Sequence, residues 1–229
     1  MNSKSGIKTR FFVLSMCFIG ATLLAQVKMV EDMWTLPTYK VEAAEKAPIF
    51  FTGENYQGAR KVIYPYALND VISNRKETQE WKTLKLENDY IELGITPEMG
   101  GKLYYATDKS NDYNFIYKNN GVKPSNIGAW TSGGIEWCVF HHHRASTMLD
   151  MDYSMAENED GSKTIFIGET EPRHRMRWTV GVTVRPGKSY FEAELSLYNP
   201  TPYTNTFLYW ANAAAHTNEN YQIIFPPSV

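Results

Sequence analysis

The segment Gly133-Gly134-Ile135-Glu136-Trp137-Cys138-Val139-Phe140-His141-His142-His143-Arg144 gathers the residue types best suited to chemistry. Three of the chain's five histidines, a carboxylate, a tryptophan and an arginine follow directly on a glycine pair. Imidazoles and charges are poor core material, because each needs a partner once buried. They are good material for gripping and protonating a polyhydroxylated ligand. In an extended conformation Glu136, Cys138, Phe140 and His142 share one face, and Ile135, Trp137, Val139, His141 and His143 the other. Glu136 and His142 then point into one cleft, as a general acid–base pair for a hydroxyl or glycosidic oxygen. The plainer alternative is a buried glutamate held by a histidine or by Arg144. Gly133-Gly134 provides for φ > 0 or a close backbone approach. His141 and His143 could share one ion, but no third ligand is identifiable, so neither a metal nor any other cofactor is expected.

Two further clusters carry polar groups. Along an extended segment, Arg173, Arg175 and Arg177 form a row suited to a carboxylate-bearing or phosphorylated sugar. The same row would serve as a solvated sheet face paired with Glu169 and Glu171. At the end of a later strand, Trp210 is placed to stack on a sugar ring, with Asn212 and His216 to bond its hydroxyls. A core tryptophan followed by a turn asparagine fits those residues equally well. Trp137, His143, Arg144, Arg175, Trp210 and Asn212 are thus the expected ligand-binding residues.

The elements that must hold these groups read as strands. Trp81 to Glu87 and Tyr90 to Ile95 alternate around an Asn88-Asp89 turn, which is a hairpin signature. Further strands are expected over 102–107, 114–117, 163–169, 173–184, 190–198 and 204–211, with turn residues between them. In the 190–198 strand, Phe191, Ala193, Leu195 and Leu197 share one face. Many short strands without a helix-period segment imply an all-β, antiparallel sandwich. The polar run Asn69 to Gln79 reads as a loop. The expected organisation is a signal peptide over 1–25, an N-terminal region with short strands over 26–80, and the sandwich domain over 81–229.

Composition narrows the function classes. The formal net charge is −2 and no basic run occurs, so nucleic acid is not an expected partner. Lys4, Lys8 and Arg10 precede a short apolar stretch from Phe11 to Leu24, with a small residue, Ala25, before Gln26. That is the pattern of a secretory signal peptide, and it is short for a membrane span. The expected location is periplasmic or secreted, with no membrane association after cleavage. Of the two cysteines only Cys138 would then remain, so no internal disulfide is available. A core built from roughly 200 residues is large enough to do without one. The chain stops just after a strand-like run, which reads as a truncation.

Several runs together resemble a known family. They are Glu87-Asn88-Asp89-Tyr90-Ile91-Glu92-Leu93, Pro97-Glu98-Met99-Gly100-Gly101-Lys102-Leu103-Tyr104, and Tyr113-Asn114-Phe115-Ile116-Tyr117-Lys118-Asn119-Asn120. Gly133-Gly134-Ile135-Glu136-Trp137, His142-His143-Arg144, Trp210-Ala211-Asn212 and Phe225-Pro226 continue the match in order. The family is one of secreted bacterial domains of unknown function. It is similar to the galactose-mutarotase superfamily, whose large antiparallel sandwich binds carbohydrate on one concave sheet. The resemblance implies a carbohydrate partner and a sandwich incomplete at its C-terminal end. It also implies full-length relatives whose tetratricopeptide-type helical repeats serve protein partners. By position His216 resembles the acid histidine of the aldose epimerases, which makes Glu136, His142 and His216 the candidate catalytic residues. The expectation is a carbohydrate-active or carbohydrate-binding domain with a cleft lined by Glu136, His142 and Trp210. If an enzyme, it is epimerase-like or glycoside-hydrolase-like. The alternatives are a non-catalytic binding module and an inactive fragment of a larger carbohydrate-processing protein.

Overall fold

The computed structural model describes residues 26–51, 63–69, 71–124, 131–140 and 143–227. The expected signal peptide, together with His141 and His142, lies outside these residues. Among the described residues all regular structure is β, apart from one turn of 3-10 helix at Pro97–Met99. No helix in them is long and apolar enough to cross a membrane.

Two antiparallel sheets form a sandwich. The larger contains β1 (Lys28–Val41), β2 (Ile72–Glu87), β3 (Ile91–Thr96), β4 (Lys102–Asp108), β5 (Tyr113–Asn114), β6 (Ile135–Val139) and β11 (Tyr209–Ala213). Its order is β1-β2-β3-β4-β6-β11, with β5 pairing β4. The smaller contains β7 (Asp152–Glu157), β8 (Lys163–Thr170), β9 (Arg177–Val184) and β10 (Phe191–Tyr198), in the order β10-β9-β8-β7.

The core lies between the sheets and follows from period-two alternation. Leu84, Leu86, Ile91, Leu93 and Ile95 face Ile165, Ile167, Val180 and Val182, all fully buried. Each such side chain contributes about 1.5–3 kcal/mol of transfer free energy. The Asn88 turn ties the two sheets together. Its Oδ1 accepts the Tyr90 and Ile91 N–H groups at 2.8 and 2.9 Å. Its Nδ2 donates to the Arg185 and Lys188 carbonyls in the turn between β9 and β10, at 2.8 and 2.7 Å.

One irregularity shapes the outer face of the larger sheet. The pairing of β3 with β4 shifts between Gly94 and Ile95, which leaves Tyr104 as an extra residue. Leu103 and Ala106 therefore both reach the core, while Tyr104 and Tyr105 both turn outward against Trp34. Gly94 makes room for this, since a Cβ there would lie 2.1 Å from the Tyr105 ring.

The strands differ from the sequence expectation where local composition is a weak guide. The polar run expected as a loop over 69–79 is strand from Ile72, paired with β1 along residues 35–41. Residues 74–80 are exposed, so their polarity records solvent contact and not the absence of a ladder. The strand expected from Arg173 begins only at Arg177. β7 is absent from the expected strands although it alternates, with Tyr153 and Met155, two residues apart, packing against the core. In β10, Phe191, Leu195 and Leu197 pack on the core as their shared face predicts, whereas Ala193 is exposed.

Candidate functional site

Alternation on β6 decides which groups face the core and which face outward. Ile135, Trp137 and Val139 join the core cluster. Glu136 and Cys138 point the other way, onto the outer face of the larger sheet, beside their register partners Asn212 and Trp210 on β11. At Phe140 the backbone takes φ 56°, which ends the alternation. Phe140 enters the core instead of lying with Glu136. The reversal also returns His143 to the face of Glu136, not the opposite face that a continuous strand would give it.

Glu136 is the centre of this arrangement and only 3% exposed. Its Oε2 lies 3.0 Å from His143 Nδ1, and its Oε1 lies 3.1 Å from the Thr147 hydroxyl. Burial raises its carboxyl pKa, but the His143 hydrogen bond and the charges of His143, Lys102 and Arg144 together hold it below the ordinary value. Glu136 is thus a carboxylate that accepts hydrogen bonds. Cys138 Sγ lies 3.7 Å from His143 Nδ1. Burial, reinforced by the Glu136 charge, pushes its thiol up to about 12. The ring of His143 meets Trp210 edge-on at 6.4 Å.

Lys102 is the group that sequence reasoning missed. A lone lysine in a strand normally reads as solvent-facing, yet this one is buried on β4 next to β6. Burial lowers its ammonium pKa to about 8, with Glu136 acting in the opposite direction. Its Nζ donates to the Thr131 carbonyl and hydroxyl. The expected role of the glycine pair is fulfilled here. Gly133 and Gly134 have φ of 86° and 72°. A Cβ on Gly134 would lie 2.9 Å from Lys102 Cδ and 2.5 Å from the Leu103 carbonyl oxygen.

Glu136, Asn212 and His216 all line one cleft of about 610 Å³, with Tyr117 and the backbone of Thr131–Gly134. His216 Nε2 donates to the Asn114 carbonyl at 2.8 Å, and its ring lies against Tyr113 and Tyr117. Because a carbonyl only accepts, that bond places a proton on Nε2. A larger cavity of about 840 Å³ lies beyond Thr147, walled by Trp81 and Tyr66. Glu77 is its one carboxylate and it has no histidine among the described residues, so it is chemically the poorer of the two.

Three of the expected binding residues do other work. Trp137 is a core residue, 1% exposed, whose Nε1–H donates to the Gly101 carbonyl at 3.0 Å. Arg144 is likewise buried, and all its donor groups are committed. It reaches the Trp137 and Gly100 carbonyls, the Ser146 hydroxyl and Glu169, with its guanidinium 4.5 Å over the Trp178 ring. Arg175 is exposed in the turn between β8 and β9, with φ 55°, and does not line the Glu136 cleft. The expected arginine row does not form. Arg173 folds back in the turn onto Glu171, and only Arg177 lies in a strand. The placement of His142 lies outside the described residues.

The sequence pattern of a family described as "Domain of unknown function (DUF5107)" matches residues 59–229. In structure the chain is similar to a TPR-domain-containing protein from Parabacteroides distasonis ATCC 8503. The TM-score is 0.72 at 22% sequence identity, over 84% of this chain and 32% of the other. At that identity the likeness is one of fold, and this chain spans about a third of that protein's length.

Proposed function

The chain belongs to the DUF5107 family, and we propose that its larger sheet carries a carbohydrate-binding cleft on the outer face. The carrying observation is the meeting of Glu136, Asn212 and His216 in one cleft of about 610 Å³. A carboxylate acceptor, an amide that both donates and accepts, and an imidazole suit the alternating donors and acceptors of adjacent sugar hydroxyls. Trp210, expected to line the cleft, is half-buried beside Cys138 with its ring against His143 and is not among the cleft's lining residues. The finer fold we assign is galactose-mutarotase-like. The pattern of residues 1–25 supports export to the periplasm or beyond. The net charge of −2 gives no support to nucleic acid as a partner. The helical repeats in the name of the structural neighbour support a separate protein-binding region in longer relatives.

Glycoside hydrolysis is the weaker enzymatic reading, because it ordinarily needs two carboxylates flanking the bond. Among the described residues lining this cleft Glu136 is the only one. Proton exchange at a sugar carbon or hydroxyl needs one base and one acid, which Glu136 and His216 supply from the same cleft.

The test is calorimetric titration of the chain with neutral sugars, uronic acids and oligosaccharides. One class is expected to bind saturably. Asn212→Ala and His216→Ala should each weaken it by about tenfold, the equivalent of one or two hydrogen bonds, with both variants still melting cooperatively. Binding that is absent for every class, or indifferent to both substitutions, would remove the carbohydrate reading.

A further inference from the structure

We propose that Glu136, Cys138 and His143 form a transition-metal site, and that zinc is the ion suited to it. This goes beyond the carbohydrate reading: with an ion bound, Glu136 serves as its ligand and no longer as the base proposed for the cleft, so the two roles of this carboxylate are alternatives. One ligand atom from each residue lies within 4.8 Å of the other two. His143 Nδ1 is 3.0 Å from Glu136 Oε2 and 3.7 Å from Cys138 Sγ. Around a four-coordinate zinc, with bonds of about 2.0–2.3 Å, ligand atoms stand roughly 3.3–3.7 Å apart. The two separations therefore need adjustments of only a few tenths of an ångström.

The backbone supplies this geometry. Glu136 and Cys138 are two residues apart on one strand and so share a face. The reversal at Phe140 brings His143 over both. The Thr147 hydroxyl shares its one proton between the Arg144 carbonyl at 2.7 Å and Glu136 Oε1 at 3.1 Å, and Oε2 is the oxygen nearer His143. Charge also fits, because a thiolate and a carboxylate together neutralise a dication in a site where two of the three residues are buried. The opposing charges are Lys102 and Arg144, and Arg144 is already paired with Glu169. One sulfur, one nitrogen and one oxygen donor favour zinc over the hard ions calcium and magnesium. On binding, the Zn–S bond replaces the S–H bond of Cys138 and that proton leaves to solvent. The Zn–N bond needs the Nδ1 lone pair, so the proton that Nδ1 donates to Glu136 leaves too, to solvent if Nε2 already carries a proton or by tautomeric exchange to Nε2 if it does not, and no atom changes oxidation state. Three protein ligands leave a fourth position for water, and of the three ligands Glu136 is the one that lines the cleft.

The test is titration of the chelator-treated chain with cobalt(II) as a spectroscopic stand-in, without sugar. One equivalent should bind, with a thiolate-to-cobalt charge-transfer band, the visible bands of a four-coordinate ion, and full displacement by zinc. Cys138→Ser should abolish the charge-transfer band, while Cys17→Ser, at the other cysteine, should keep it. His143→Ala should keep the fold, followed by thermal melting, and weaken zinc by at least tenfold. No charge-transfer band at millimolar cobalt would overturn the site. So would a band that survives Cys138→Ser, or zinc affinity unchanged in His143→Ala. Because no sugar is present, these results stand apart from success or failure of carbohydrate binding.

Discussion

The segments Gly133–Arg144 and Glu171–Trp178 contain the same residue types and come to opposite ends. Each joins a glutamate, histidine, arginine and tryptophan within a short span. In the second, Glu171 is saturated, by two donors of its own segment and one from Tyr66. It accepts the Tyr66 hydroxyl at 2.8 Å, the Arg173 Nε–H at 2.8 Å and the His174 backbone N–H at 2.7 Å. The segment is chiefly the turn that joins β8 to β9, the two central strands of the smaller sheet. In the first, Glu136 is also hydrogen-bonded, but it lines an open cleft with Asn212 and His216. Polar richness does not separate a site from a structural knot. What separates them is whether the polar valences close internally or face a cavity.

Even within Gly133–Arg144 the two behaviours coexist, and the largest expected effect tests that division. Arg144 is a structural residue, so Arg144→Ala should cost about 3–5 kcal/mol in denaturant melts, as breaking a buried, hydrogen-bonded ion pair does. A cost below about 1 kcal/mol would break the comparison.

Next comes the knot itself. Burial raises the pKa of Glu171, but hydrogen bonds from Arg173, His174 and Tyr66 outweigh it and hold the carboxyl below its ordinary 4.5. The folded state thus binds this proton less tightly than the unfolded one. The resulting stability is complete above the unfolded-state value and is lost as pH falls through the lowered folded-state value. Glu171→Gln should cost about 1–3 kcal/mol at neutral pH. The gap from the parent should close as both are titrated into acid, measured by melts at each pH. A gap independent of pH would show that the carboxylate charge is not what the knot uses.

The smallest effect is expected at Arg175. It is exposed and makes no cleft contact. Arg175→Ala should change stability by less than about 0.5 kcal/mol and leave sugar affinity unaltered. A clear loss of affinity would restore the arginine row as a recognition element.

Alternation made much of the fold legible. The Trp81–Ile95 hairpin, the Asn88 turn and the faces of Phe191, Leu195 and Leu197 all follow from period-two burial, which acts over a few residues. β7 and the first half of β2 were not legible. The first half of β2 is exposed on both faces and leaves no periodic record, while β7 offers only two large apolar side chains, Tyr153 and Met155, within a short polar run.

The candidate site divides in the same way. Glu136, Asn212 and His216 stood out by residue type, and Gly133-Gly134 by its backbone freedom. Local sequence could not show that Lys102 is buried beside them, because its burial depends on the neighbouring strand and on a glycine with no Cβ. Nor could it show that Trp137 and Arg144 serve the core, since their partners Gly100, Gly101, Glu169 and Trp178 are remote in the chain. The sequence by itself determined an all-β antiparallel sandwich and the residue types available for chemistry, because both reside in local pattern. Which of those residues meet across strands, and which are consumed by the core, was decided only by tertiary structure, because hydrogen-bond valence is filled by whatever the fold brings within about 3 Å.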